Sequence, residues 1–204
     1  NQNAVDFIFD VNTDNRLYLH LGSLGDIDGN ITISNNEWTY ISMTYDGQTV
    51  KIYVDGVLDN QMSASGNIGM NSSTLLLGKY TYQSQFNWFY DGLMDDIAIW
   101  NSSLTQEHIQ SNMNSELTGD EEGLVGYWKF NAGQDSILYD HSGNQNHGTI
   151  NGATWEENIY GCTDSLALNY DENATIDDGS CTYPDNGDYS LSFDGEDDYV
   201  DMGD

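Results

Sequence analysis

Basic residues are nearly absent from this sequence of 204 residues. Four Lys and Arg stand against 34 Asp and Glu, which gives a formal net charge of −30 at pH 7. Phosphate backbones and anionic membrane surfaces repel such a chain, so we predict no nucleic-acid partner. The sequence also lacks an apolar run of the ~18 residues that a membrane-spanning helix needs, so we predict no membrane insertion.

Catalytic motifs are also missing. The four histidines, His20, His108, His141 and His147, form no HExxH motif, and there is no GxSxG motif. No Gly-rich phosphate loop follows a predicted strand and opens a helix. Carboxylate pairs suited to glycoside hydrolysis can be drawn from many acids, so their abundance identifies no site. We therefore predict that the chain is not an enzyme.

Cysteine is scarce, and its placement indicates a compartment. Cys162 and Cys181 lie close together in a loop-like stretch, which suits a local disulfide in an oxidising environment, with two free thiols as the alternative. We therefore predict a secreted or cell-surface protein. No signal peptide is visible and the first residues resemble the middle of a polypeptide, so we expect a fragment of a longer protein.

The acidity itself has two interpretations. Carboxylates keep a protein soluble and suit salty water, where screening relieves self-repulsion. Carboxylate clusters are also what Ca²⁺ requires. Both interpretations can hold, and we assign the larger share of the acids to solubility.

Aromatic residues and glycine are plentiful and predict an all-β fold. Aromatics make up 12% of the chain, which also has 21 Gly for tight turns. Residues 38–45 and 50–54 alternate apolar and polar side chains, and an Asp-Gly pair follows each run, which predicts an antiparallel meander. Further strands are predicted at residues 5–9, 17–21, 75–78, 91–100, 126–130, 189–193 and 199–200. With one helix predicted at residues 104–109 and Thr105 as its N-cap, the layout is that of a two-sheet sandwich or jelly roll.

Hard oxygen ligands cluster in two loops, and we predict calcium in both. In the first loop, side-chain oxygens and carbonyls made accessible by glycines supply ligands, with an Asx-rich turn as the alternative. Its candidate ligands are Asp140, Asn144, Asn146 and Gly148. Between the two cysteines, six oxygen-bearing side chains cannot bury an apolar core, so a metal or solvent must organise them. They are Asp164, Asn169, Asp171, Asn173, Asp177 and Asp178.

Two further acidic groups are weaker metal candidates. Asp95 and Asp96 are adjacent, so on a strand their side chains point to opposite faces and at most one joins a given site. Asp194, Asp197 and Asp198 flank a predicted turn, where they complete a calcium site or simply form a charged turn.

Residues 80–90 combine aromatic side chains with Gln and Asn. Aromatic faces stack on sugar rings and amides hydrogen-bond to hydroxyls, so the segment is a candidate carbohydrate-binding loop. Its candidate ligand-binding residues are Tyr80, Tyr82, Trp88 and Tyr90. The alternative, which we favour, is a loop folded onto the edge of the sandwich.

Four segments carry a family resemblance: residues 37–56, 91–105, 123–148 and 191–200. Residues 37–56 resemble the central hairpin of laminin-G-like domains, and residues 91–105 resemble their late strand with its short helix. Residues 123–148 are similar to the opening strand with its loop, and residues 191–200 to the strand pair that follows it. The resemblance implies a concanavalin A-like jelly roll of two antiparallel sheets, in a family with calcium-binding members. Separately, residues 161–183 resemble a cysteine-flanked insert of large secreted proteins from bacteria related to the Bacteroidota. They are also similar to thrombospondin type 3 repeats, which are calcium-loaded.

The order of these segments departs from the family, because the late part of the domain comes first. We expect residues 1–117 to form the C-terminal part of a jelly roll, and residues 118–158 to complete it or open the next one. Residues 159–186 are then the acidic insert, and residues 187–204 the opening strands of another domain. We expect those strands to insert into a neighbouring copy rather than close their own domain, since an unpaired strand complements an open sheet edge.

The functional hypothesis is a repeat of a cell-surface adhesin or filament that is stabilised by calcium and binds glycans or extracellular matrix. One alternative is a purely structural repeat of a self-assembling extracellular fibre, whose partners are its neighbouring copies. Another is an accessory module of a secreted hydrolase.

Overall fold

The computed structural model describes residues 7–68, 74–82, 86–185, 187, 190–193 and 197–200, apart from the side chains of residues 81, 82 and 86. Within them the chain forms short strands and one α-helix, which confirms the predicted all-β class. None of the helical segments in this part of the chain has the length and apolarity to cross a bilayer. The chain divides into two compact units, Asn1–Gly152 and Ala153–Asp204.

Among its described residues, the first unit contains one helix, α1 (Gln106–Asn112), and a 3₁₀ turn at Gly22–Leu24. Its strands are β1 (Ile8–Val11), β2 (Leu17–His20), β3 (Asp26–Asp28), β4 (Ile41–Tyr45), β5 (Thr49–Val54), β6 (Val57–Ser63), β7 (Lys79–Tyr82), β8 (Phe86–Phe89), β9 (Ile97–Trp100), β10 (Leu124–Trp128), β11 (Ile137–Leu138) and β12 (Gly148–Thr149).

Two antiparallel sheets, β1-β2-β3 and β4-β5-β6, supply the core of the first unit. Alternate residues of β2 and β5 point to the same side of their sheets, so each strand contributes a row of apolar side chains. The buried cluster consists of Leu17, Leu19, Leu21, Ile27, Val50, Ile52 and Val54. Burying each such side chain contributes about 1.5–3 kcal/mol, and this cluster therefore fixes the scaffold on which the remaining segments are placed.

The meander predicted from the two Asp-Gly pairs is confirmed. In the β4–β5 turn, Asp46 Oδ1 accepts the backbone N–H groups of Gln48 at 2.8 Å and Thr49 at 2.7 Å. In the β5–β6 turn, Asp55 and Gly56 have φ values of 48° and 69°, the pair of positive values that a two-residue hairpin turn requires. Local side-chain chemistry therefore sets the register of this sheet.

Helix α1 begins where the sequence places its N-cap. The Thr105 side chain accepts the N–H of His108 at 3.3 Å, which satisfies one of the donors left unpaired at a helix start. The side-chain amides of Gln106 and Gln110 both donate to the carbonyl of Gly56, at 2.9 and 3.0 Å. These bonds hold the helix against the β5–β6 turn.

Strands β9 and β10 form an antiparallel pair, with Ala98 opposite Tyr127 and Ile97 opposite Trp128. Tyr127 and Trp128 are buried. Strand β10 therefore belongs to the first compact unit, together with the loop that follows it.

Two strand assignments made from the sequence are wrong in this unit. Residues 75–78 form no strand, because no described segment pairs with them, and Leu75, Leu76 and Leu77 are exposed. Residues 80–90 were expected to form a loop, but their described part contains the β7–β8 hairpin. The aromatic residues there have high strand propensity and recur at alternate positions, which favours a paired strand over a loop.

The second unit is held together covalently. Its strands β13 (Tyr160–Gly161) and β14 (Ile176–Asp177) form one short parallel pair. The predicted disulfide between Cys162 and Cys181 is confirmed. Cys162 is the one buried residue among those described in this unit, so no apolar core supports the crosslink.

The strands predicted at residues 189–193 and 199–200 are not formed by the residues described there. Residues 190–193 and 197–200 belong to no strand, since no described segment pairs with them. Their large apolar side chains are exposed, from 53% for Val200 to 81% for Tyr199.

Candidate functional site

The β7–β8 hairpin carries aromatic side chains on both of its faces. Tyr80 lies directly opposite Trp88 in the register of the pair, and their rings stack with centroids 5.5 Å apart and planes 16° apart. On the opposite face, Lys79 Nζ lies 5.7 Å from the centroid of the Phe89 ring, since neighbouring residues of a strand point to opposite sides. These cross-strand contacts give the Tyr80, Trp88 and Phe89 rings a defined orientation.

Three aromatic residues at the end of the hairpin are exposed to solvent. Trp88, Phe89 and Tyr90 are exposed by 53%, 70% and 49%. Tyr90 is held by its hydroxyl, which donates to the carbonyl of Leu93 at 3.1 Å. Because Tyr90 is two residues from Trp88 and Phe89 is one, strand alternation places Tyr90 rather than Phe89 on the Trp88 face. We call Tyr80, Trp88 and Tyr90 the aromatic platform.

Three of the four predicted ligand-binding residues therefore lie in one segment of the surface. They are Tyr80, Trp88 and Tyr90; the side chain of Tyr82 lies outside the described residues. Their assignment to a ligand stays a prediction.

Asp140 is the centre of the first predicted calcium loop, and the residue is buried, with 8% of its surface exposed. Oδ1 accepts the backbone N–H groups of Tyr127 at 2.9 Å and Ser142 at 2.8 Å, and Oδ2 accepts that of Asn146 at 2.8 Å. Burial raises the pKa of this carboxyl, but these hydrogen bonds outweigh burial and lower the pKa to about 2. Asp140 is thus an ionised anchor that joins the loop to β10.

The other residues of this loop bind the backbone of β10 as well. The side-chain amides of Asn144 and Asn146 donate to the carbonyl of Val125, at 3.1 and 2.8 Å. Trp128 Nε1 donates to the carbonyl of Asn146 at 2.9 Å. Gly148 begins β12. The structure therefore brings the four candidates into one segment, where the three side chains satisfy backbone groups, and calcium at this loop stays a prediction.

Asp95 and Asp96 precede β9 rather than lie on it, so the strand alternation expected for them does not apply. Asp95 Oδ1 accepts the N–H of Asp96 at 2.9 Å. Asp96 Oδ1 accepts the hydroxyl of Tyr127 at 2.9 Å, a bond that spans 31 residues of sequence. Asp96 therefore joins the segment before β9 to β10.

The oxygen-bearing side chains between the cysteines act mainly as turn caps. The acids Asp171, Asp177 and Asp178 each accept the backbone N–H two residues further on. Asp164 accepts the hydroxyl of Tyr183 at 2.6 Å and the N–H of Leu166, and these bonds lower its pKa. Such bonds are typical of Asx turns, which is the alternative to calcium ligation.

Two more residues of that loop also bond to the chain itself. Asn169 Oδ1 accepts the N–H of Thr182 at 2.8 Å, and the Asn169 amide donates to the carbonyl of Ser180 at 2.8 Å. The Asn173 amide donates to Asp171. In the described part of the chain, no three His, Cys, Asp or Glu side chains converge as a metal site. Asp197 and Asp198 are exposed, and Asp194 lies outside the described residues.

The sequence analysis predicted no cavity, but the first unit contains one of about 280 Å³. It is lined by residues that lie before β4, along β9 and β10, and after α1, including Tyr40, Asp96 and Tyr127. No local motif could have identified it, because its walls come from segments up to about 90 residues apart in the sequence.

Comparison with known proteins agrees with this architecture. The Laminin_G_3 family model, described as the concanavalin A-like lectin/glucanases superfamily, matches residues 1–110, which is more than half of the chain. Over 85 residues the chain is 32% identical to human pappalysin-1, covering 38% of this chain and 5% of pappalysin-1. It therefore spans about a twentieth of that relative.

Two solved structures are similar in fold. A proposed carbohydrate binding protein from Bacteroides ovatus ATCC 8483 has a TM-score of 0.57 at 18% identity, covering 75% of this chain and 52% of that chain. An S-layer domain-containing protein from Clostridium thermocellum ATCC 27405 has a TM-score of 0.37 at 17% identity, covering 54% of this chain and 62% of that one. The first likeness and the family match confirm the predicted jelly-roll class; the second is too low to carry an argument.

Proposed function

Because the chain belongs to the concanavalin A-like lectin/glucanase superfamily, we propose that it is a non-catalytic extracellular binding module whose aromatic platform binds a glycan. The observation that carries this proposal is the stacked Tyr80–Trp88 pair on an exposed hairpin. A pyranose ring presents an apolar C–H face, and a flat aromatic surface fixed by cross-strand contacts complements it without ordering a loose side chain.

The charge of the protein narrows the class of glycan. With a net charge of −30, the chain repels sulfated and uronic-acid polysaccharides, so the proposed ligand is neutral. The Cys162–Cys181 disulfide supports an extracellular location, since such bonds persist in oxidising compartments.

Calcium is proposed as a stabilising ion rather than as the ligand-binding group. The support is the density of carboxylate and amide oxygens around Asp140 and between the cysteines. Binding to the folded state alone would stabilise the protein by about 2.7 kcal/mol at a hundredfold excess over Kd.

The glycan proposal is tested with the full chain on an array of neutral polysaccharides, followed by calorimetry on the best binder. Trp88→Ala is expected to weaken binding about 30-fold, because truncation of a central aromatic contact costs ~2 kcal/mol or more. Trp38→Ala is the matched control, since Trp38 is 44% exposed and lies outside the hairpin. Equal affinity of the Trp88 variant and the native chain would contradict the proposal. Repeating the titration with calcium and with EGTA separates the role of the ion.

A second candidate function, assembly with neighbouring copies, is favoured by one observation. Leu191, Phe193, Tyr199 and Val200 are exposed and lie outside any strand. Such residues gain free energy when a second copy covers them, and a strand added to an open sheet edge satisfies their backbone groups.

Light scattering over a range of concentrations tests this assembly. Phe193→Asp is expected to shift the particle mass toward the monomer, because a charge placed in an apolar contact must be desolvated. Ser190→Asp adds the same charge at a neighbouring exposed position and is expected to leave the mass unchanged. A native chain that has the mass of the monomer at every concentration would rule assembly out, and an assembled Phe193→Asp variant of unchanged mass would exclude this surface.

A further inference from the structure

The cavity of about 280 Å³ in the first unit has a wall chemistry that differs from the aromatic platform. Three aromatic residues, Tyr40, Trp100 and Tyr127, line it together with the carboxylates of Asp96 and Glu116. Aromatic rings carry a negative face, and carboxylates add full negative charge. A cavity lined this way repels anions and favours a cation that also has apolar surface.

The charge of Asp96 is not neutralised by a basic residue. The ion pairs within the described part of the chain are His20–Asp26 and Lys129–Glu116, so Asp96 is in neither. Its described hydrogen bond comes from the neutral hydroxyl of Tyr127. Burial and then the charge of Asp96 raise the pKa of Tyr40, so Tyr40 lies within reach of that charge.

The backbone at Asp96 restricts which residues can replace it. Its φ is 46°, in the left-handed region where glycine is the least costly residue and Asp and Asn are tolerated. Asn is therefore the substitution that removes the charge and keeps this backbone conformation.

The protein already holds one ammonium group against two of the residues that line this cavity, Tyr127 and Glu116. Lys129 Nζ lies 5.4 Å from the centroid of the Tyr127 ring and bonds to Glu116 Oε1 at 2.5 Å. The Lys129 side chain is only 18% exposed. The Tyr127 ring and the Glu116 carboxylate therefore already hold a cation. The hydroxyl of Tyr127 also donates to Asp96, whose carboxylate is in neither of the described ion pairs.

We propose that this cavity is a binding site for an alkylammonium group, which pairs with the exposed carboxylate of Asp96 and packs against the rings of Tyr40 and Trp100. A metal ion fits less well, because no three His, Cys, Asp or Glu side chains converge in the described part of the chain. The cavity shares no residue with the aromatic platform, so the failure of one binding proposal leaves the other unaffected.

Calorimetry on the full chain tests the proposal with n-butylammonium and its neutral counterpart n-butanol. We expect n-butylammonium to bind at least tenfold more tightly than n-butanol. Asp96→Asn keeps the shape, the tolerated φ and an acceptor for Tyr127, and is expected to weaken n-butylammonium about tenfold. Asp91→Asn removes the same charge from an exposed residue that does not line the cavity, and is expected to have no effect.

A second variant tests the sign of the electrostatic effect, even if Asp96→Asn folds poorly. Lys129→Gln removes the internal ammonium and leaves Glu116 unpaired, so n-butylammonium is expected to bind several-fold more tightly. Three results would overturn the proposal. They are an equal loss of n-butylammonium affinity in Asp96→Asn and Asp91→Asn, equal affinities for n-butanol and n-butylammonium, and no gain of n-butylammonium affinity in Lys129→Gln. Two further ligands distinguish the source of the ammonium group. Nα-acetyl-lysine methylamide carries it on a peptide side chain, and glucosamine carries it on a sugar. The ligand that binds more tightly identifies the source.

Discussion

Replacing Asp140 with alanine is expected to lower the free energy of unfolding of the first unit by about 3 kcal/mol or more. The carboxylate accepts the N–H groups of Tyr127, Ser142 and Asn146, and its removal leaves several of these donors without a partner. An unsatisfied buried donor costs about 1–3 kcal/mol. Urea denaturation followed by tryptophan fluorescence measures the change, since Trp128 bonds to the same loop.

Asp14→Ala is the matched control for this substitution. Asp14 is an exposed carboxylate in the same unit, and its removal is expected to change the free energy of unfolding by less than about 0.5 kcal/mol. A loss of stability at Asp140 no greater than at Asp14 would show that the anchor contributes nothing.

Acid adds a second, independent readout of Asp140. Its folded-state pKa of about 2 lies below the unfolded-state value of about 3.9, so the ionised carboxyl stabilises the folded protein by ~2 kcal/mol above pH 4. That contribution is lost as the pH falls from about 4 toward 2. Many other acids titrate in the same range, so the test is the difference between Asp140→Ala and the native chain. The stability difference between them is expected to shrink across this pH window and to stay constant above it.

Breaking the disulfide is expected to destabilise the second unit by about 3 kcal/mol. Cys162 and Cys181 are separated by 19 residues, and closing a loop of this size restricts the unfolded chain by roughly that free energy. No other described residue of this unit is buried, so apolar packing cannot compensate. We expect the unit to lose its structure when the bond is reduced or when both cysteines are replaced by alanine.

Hydrogen exchange measured by mass spectrometry resolves this effect by segment. Peptides from residues 159–183 are expected to lose protection after reduction, while peptides from the β4-β5-β6 sheet keep theirs. The sheet serves as an internal control, because the chain has no other cysteine. Unchanged exchange in residues 159–183 after complete reduction would show that the turns hold the unit without the crosslink.

Features set by residues close together in the sequence were predicted correctly. The β4-β5-β6 meander follows from Asp46-Gly47 and Asp55-Gly56, whose side-chain and backbone preferences act within a few residues. The start of α1 follows from the hydroxyl of Thr105 in the same way. The disulfide joins cysteines only 19 residues apart.

Features set by distant residues were missed or left open. The strand predicted at Leu75 is absent because a strand forms only where another segment pairs with it, and pairing is not encoded in the segment itself. The β7–β8 hairpin could have been anticipated, since Tyr80, Tyr82, Phe86 and Trp88 share one alternation. The exposure of this hairpin could not be predicted, because exposure depends on which surfaces the rest of the chain covers.

The sequence by itself therefore determined the all-β class, the turns, the helix cap and the crosslink, each of which depends on bond geometry and hydrogen bonds between near neighbours. Only the tertiary structure decided what the acids do. Asp140 anchors a loop to β10, and Asp96 reaches Tyr127 across 31 residues to line a cavity. Both roles depend on the partners that packing brings within about 3 Å, and the composition of a chain does not specify which of its carboxylates will meet those partners.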